Sequence, residues 1–289
     1  MNAELARRPD VGPPQDEDAL IIEAGRGSGL YWRDLWRYRE LFYVLAWRDL
    51  AVRYKQTVLG LAWAILRPLL TVAVFTLIFQ RIANLPSEAG APYALMVLAG
   101  VLPWQFFSAA LAEASASLVS NSALITKVYF PRLIVPLAAI VVVLVDLLVS
   151  LALIVALMAW YRFMPGWQLL TLPFFIAMAF LASLGPALWL SSLNVTYRDF
   201  RHAIPFMLQL GLYISPVAFS SSLVPEGWRI LYSLNPMVGV IDGFRWAILG
   251  GSSAIHWHGF LISWALIAVF LWLGVSRFRR TERHFADII

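Results

Sequence analysis

The sequence predicts an all-α integral membrane protein: six transmembrane helices, an N-terminal amphipathic interface helix and re-entrant external helices. Three observations carry this. Of the 289 residues 61% are hydrophobic and 13% charged, with mean hydropathy +0.73, more apolar surface than a soluble domain of this size covers. Apolar runs long enough to cross a bilayer recur along the chain. Lys and Arg also segregate by connector: 17 fall in one set of segments and 4 in the other, leaving out Arg67. That asymmetry puts both termini in the cytoplasm, which an even number of spans satisfies. The net charge of +5 therefore reports topology and is no nucleic-acid footprint. With no cysteine, disulfides and thiolate metal sites are excluded.

Residues 1–29 carry Pro13, Pro14, the acidic run Asp16, Glu17 and Asp18, and three glycines, a composition expected of a disordered cytoplasmic tail. Leu20–Ile22 is too short for the apolar core of a signal peptide. Residues 30–58 have helical period: Arg33, Arg37, Glu40, Arg48 and Lys55 fall on one strip, with Trp36, Phe42, Tyr43, Trp47 and Tyr54 on the other. This is the pattern of a helix lying in the headgroup region, or of a packed soluble subdomain.

The transmembrane domain is expected over 59–289. Its first span, Leu59–Phe79, holds Arg67 and Pro68 some way into the apolar region, where a charge faces the bundle interior or snorkels out. The second, Tyr93–Ala116, is expected to break at Pro103, close to Trp104, Phe106 and Phe107, and has Glu113 near its cytoplasmic end. The third, Leu133–Trp160, has Asp146 at mid-depth. A central aspartate costs about 2.5 to 3.5 kcal/mol on insertion scales, so it needs a partner or water. The fourth is Trp167–Leu193, the fifth Ala203–Phe219 and the sixth Ile255–Ser276. Between the last two, Ser220–Gly251 is too broken by Pro and Gly to span and too apolar for a free loop. It reads as two short helices dipping into the outer leaflet.

Between spans two and three lies NSALITKVYFPR, residues 121–132. Ser122 is placed to cap a short helix with Leu124, Ile125 and Val128 on an apolar face and Lys127 beside it, ended by Pro131 and Arg132. An ordinary cytoplasmic turn is the alternative.

No motif supports catalysis. The four histidines are scattered, no metal-ligand spacing occurs, and neither a phosphate-binding GK[ST] nor a GxSxG is present. Energy must come from an ion gradient or a partner ATPase. The 13 Trp, 10 Tyr and 18 Phe suit a path for sugars, whose apolar faces stack on flat rings, and equally suit interfacial anchoring.

Several stretches together resemble a known family: RDLAVRYKQTVLGLAWAILRPLL at 48–70, VLPWQFFSAAL at 101–111, NSALITKVYFPRLIVPLAA at 121–139, VTYRDFRH at 195–202, SPVAF at 215–219, LNPM at 234–237 and ERHFADII at 282–289. In this order they resemble the permease subunits of type-2 ABC exporters, in the branch that exports O-antigen, capsular or teichoic-acid polysaccharide. The resemblance implies a homodimer in the bacterial inner membrane, bound to two copies of an ATPase that carries the ATP and Mg. The permease itself would hold no cofactor. It implies that 121–132 is a coupling helix seated in the ATPase, with Asn121, Leu124, Ile125, Lys127, Val128, Tyr129, Phe130 and Arg132 at the contact, and that 223–246 forms external gate helices. Trp63, Arg67, Trp104, Phe106 and Phe107 are the expected channel residues, and Glu113 and Asp146 the intramembrane polar ones. At position 67 the family more often has a neutral polar residue; the arginine here suggests contact with an anionic part of the substrate. A permease for a smaller lipid or drug is the alternative. A membrane-embedded transferase would need a carboxylate pair or metal ligands at one depth, and none is found.

Overall fold

The computed structural model describes residues 28–55, 62–88, 90–197, 199–251, 255–282 and 285. Residues 1–27 of the expected tail, 59–61 of the first span, Arg198 and most of the terminal ERHFADII lie outside them. Among the described residues the protein is helical, without strands.

Five helices among the described residues are long and apolar enough to cross a membrane. The first runs over 62–82: helix α3 (Ala62–Phe75) widens into a π-helical end at Thr76–Ile82. The others are α4 (Tyr93–Ser120), α6 (Ile134–Trp160), α7 (Leu172–Thr196, entered through a 3-10 turn at Trp167–Thr171) and α11 (Trp257–Thr281). α4 is the axis of the bundle, packed on α3, α6 and α7, and 72% of its most apolar stretch is buried, against 11% for the 62–82 helix. The expected break at Pro103 does not occur. Proline removes one N–H, but Val101, Leu102, Trp104 and Phe106 are buried around it, and this packing carries the helix through.

The expected fifth span is shorter than its apolar run. α8 (Phe200–Ile214) has 15 residues, about 22 Å, which is less than the hydrocarbon thickness. Pro216 disfavours helical backbone at Ser215, which is extended (φ −89°, ψ 151°), and the chain leaves the helix there. Two short helices follow, α9 (Glu226–Tyr232) and α10 (Pro236–Ile248). Asn235 caps α10 by accepting from the Met237 N–H at 3.0 Å, with Pro236 in the first turn, where its missing N–H costs nothing. α10 is packed against α4, α7 and α11, so protein covers the backbone that a re-entrant helix would expose.

α7 and α11 cross at backbone contact. A Cβ on Gly274 would overlap the Gly185 carbonyl, and one on Gly185 the Phe270 carbonyl.

The N-terminal region is two helices, α1 (Ser28–Arg37) and α2 (Arg39–Lys55). The aromatic strip read from the sequence divides. Phe42 packs, with Leu41 and Leu45 from outside that strip, into a second core with Ile125, Phe130, Ile134 and Phe278, while Trp36, Tyr43 and Trp47 stay exposed. α2 also packs beside α6.

Candidate functional site

The coupling stretch forms one short helix, α5 (Ser122–Lys127), between α4 and α6. Its cap residue is Asn121 in place of Ser122, and no side chain bonds the first turn. The Asn121 side chain is engaged elsewhere: its amide donates to the Ser117 carbonyl at 2.9 Å, and its Oδ1 accepts from the Arg48 guanidinium on α2 at 2.8 Å.

The predicted contact residues divide into two faces. Ile125 and Phe130 are buried in the second core and Leu124 is half-buried against it, whereas Lys127, Val128 and Tyr129 are exposed. Helical spacing alone does not separate them. The helix ends at Lys127, and Val128 (φ −129°, ψ 134°) is extended, so the helical period does not carry on to Phe130. Arg132 is tied to the end of the chain: its backbone N–H donates to the Glu282 carboxylate at 2.7 Å and its guanidinium bonds the Glu282 carbonyl. Phe285 is buried edge-on against Phe278 in the same core. α2 and the C-terminal end therefore both grip the α5 connector.

The intramembrane carboxylates Glu113 and Asp146 meet through a residue the sequence did not single out. Arg53, near the end of α2, places one guanidinium nitrogen 2.9 Å from Asp146 and another 3.8 Å from Glu113. The Tyr54 hydroxyl also donates to Asp146. Asp146 lies 12 residues into α6, about 18 Å along the helix. α2 therefore does not stay at the base of the bundle; its last turns climb beside α6. The signal was present: an Arg-Tyr pair ends the helix before the first span, and a lone aspartate waits in the third.

Of the expected channel residues, Trp63, Arg67 and Phe106 line one cavity of about 350 Å³ between α2, α3, α4 and α6, with Arg53, Gln105 and Asp146. Trp104 lines another of about 250 Å³ between α4 and α8, and Phe107 packs against its ring at 5.6 Å. Gln105 borders both.

At the α9–α10 end a second arginine is wholly enclosed. Arg245 donates to the carbonyls of Phe219 (2.8 Å), Val217 (3.0 Å) and Met96 (3.5 Å), and Glu88 lies 3.7 Å away. Tyr93 adds a bond to the Ala218 carbonyl at 2.7 Å. The SPVAF segment is thus held by its backbone. Asp242, one helical turn from Arg245, accepts from Ser221, and burial pushes its carboxyl up to about 6 against the opposing pulls of Ser221 and Arg245.

Residues 40–249 match the ABC-2 type transporter family, and the chain belongs to that family. It is 28% identical over 264 residues to the O-antigen export system permease protein RfbA of Myxococcus xanthus, covering 89% of this chain and 98% of that protein. An RfbA of Klebsiella pneumoniae is 26% identical over 251 residues (86% and 95%). The polysialic acid transport protein KpsM of Escherichia coli is 24% identical over 243 residues (80% and 90%).

Proposed function

We propose that this chain is the transmembrane subunit of an ATP-driven exporter that carries a lipid-linked polysaccharide, such as O-antigen, across the bacterial cytoplasmic membrane. The match to export permeases over nearly the full length of both proteins carries this reading. Two copies of the chain form the conduit, with all termini in the cytoplasm, and two copies of a separate ATPase bind ATP and Mg.

The ATPase seats against Lys127, Val128 and Tyr129, the exposed face of the α5 connector. Closure of the ATPase dimer pushes on this face. Ile125 and Phe130 are packed with Leu133 and Ile134 at the start of α6, so the push reaches α6 as a displacement of a rigid cluster. The Arg48–Asn121 bond passes the same displacement to α2, and the Arg132–Glu282 bonds pass it to the end of α11. α9 and α10 form the external gate.

The deciding experiment is co-purification of the permease with its candidate ATPase, followed by ATP hydrolysis in lipid with and without lipid-linked glycan. Stimulation by the glycan supports the proposal. Stimulation only by a small lipid or drug would instead make this a permease for such a cargo. Transport by the permease alone would overturn the division of labour.

A further inference from the structure

The cavity between α2, α3, α4 and α6 is bordered by one charge, that of the exposed Arg67, which has no partner among the described residues. Two hydrogen bonds fix its depth. The Ser150 hydroxyl on α6 donates to the Ala64 carbonyl at 2.8 Å, and the Gln105 amide on α4 donates to the Thr71 hydroxyl at 3.3 Å. Arg67 lies between Ala64 and Thr71. Gln105 is 15 residues from the end of α4 and Ser150 is 16 from the start of α6, which puts Arg67 on the order of 20 Å from the α5 end of helices about 40 Å long.

At that depth an arginine is costly unless something neutralises it. The neighbouring Arg53 is neutralised by Asp146 and Glu113, and the Tyr54 hydroxyl takes up a further lone pair of Asp146. The guanidinium of Arg67 makes no hydrogen bond or ion pair among the described residues. Trp63, half-exposed, lines the same cavity with a side chain that carries one N–H donor, and Gln105 keeps part of its amide free. Phe106, Leu102 and Val143 give the cavity an apolar wall. A cationic corner with donors, backed by an apolar wall, matches an amphiphile with an anionic head.

We infer that this cavity binds the phosphate or pyrophosphate group of a lipid, with Arg67 as the charge partner, Trp63 and Gln105 as supporting donors, and the first carbons of the chain against Phe106. Resting on the export reading, the occupant with a role in transport is the phosphate link between glycan and lipid carrier; a membrane phospholipid offers the same chemistry.

The full-length protein in neutral detergent tests this through the thermal stabilisation given by farnesyl pyrophosphate, farnesol and phosphatidylglycerol. Wild type should be stabilised by the pyrophosphate and not by farnesol. Arg67→Gln should weaken its apparent affinity at least tenfold, Arg67→Lys less, and Arg162→Gln, on a connector elsewhere, not at all. Stabilisation by phosphatidylglycerol alone, again lost in Arg67→Gln, supports the site and assigns it to membrane lipid. Equal stabilisation of wild type and Arg67→Gln by every anionic lipid, or none of either, overturns the site. The assay contains no ATPase, so its outcome is independent of whether export itself is confirmed.

Discussion

Arg53 and Arg245 illustrate how differently one side chain serves at two depths. Arg245 is completely enclosed, and its donors are taken by main-chain carbonyls of SPVAF and of α4. Arg245→Met leaves those carbonyls and Glu88 without a partner, so it should cost about 3–5 kcal/mol, visible as a large fall in Tm in detergent. Arg53 is only partly enclosed and lies between two carboxylates. Arg53→Gln should cost on the order of 1–3 kcal/mol. Adding Asp146→Asn should recover part of that loss, and a double-mutant cycle on thermal unfolding measures the coupling. Asp242 gives the outer end a pH dependence. Its folded carboxyl sits near 6, above the ordinary value of 3.8, so between those values the folded state holds more proton than the unfolded. Its contribution is therefore most favourable below about 3.8 and is lost as pH rises through 6. Asp242→Asn should flatten that part of the stability profile from pH 4 to 7 and raise stability at pH 7 relative to wild type.

Among the helices, α5 and the α7–α11 crossing make separate demands. Along the α5 connector, burial separates structural residues from contact residues. Phe130→Ala should lower stability by about 3–5 kcal/mol, because it empties the second core. The Lys127→Ala, Tyr129→Ala double variant changes only exposed side chains, so it should fold at wild-type Tm yet lose glycan-stimulated ATP hydrolysis with the partner ATPase. Wild-type stimulation in that variant would remove the coupling assignment. At the α7–α11 crossing the constraint is volume. Gly274→Ala pushes a methyl into the α7 backbone, which cannot yield as a flexible side chain would, so the pair must separate. The expected result is a lower Tm, with the larger Gly274→Val worse.

In the molecule as a whole, burial is uneven: α4 is surrounded, while the 62–82 helix leaves a broad apolar face uncovered, including Leu70, Val74, Leu77 and Ile82. In a membrane protein such a face needs lipid or another copy of the chain. The α5 connector, α2 and the C-terminal end form one gripped cluster at one end, and the Arg245 clamp forms another at the opposite end. α4 joins them. Its Ser117 carbonyl accepts from Asn121 and its Met96 carbonyl from Arg245, so displacement at one end has a continuous helix through which to reach the other.

The order of amino acids alone carried the helical class, most of the spans, the short connector at 121–132 and the two-part outer segment. Those follow from hydropathy over 20 residues and from proline and glycine, which act locally. It also marked Arg67, Glu113 and Asp146 as charges in need of a partner. Which groups meet depends on the packing of distant segments: Arg53 reaches Asp146 across 93 positions of sequence, and Arg245 reaches Met96 across 149. Likewise Pro103 fails to break α4, and Ile125 turns inward while Val128 turns out, because neighbouring helices set the cost of each conformation. Periodicity ranks the faces of one helix, but it carries no record of which face another helix will cover.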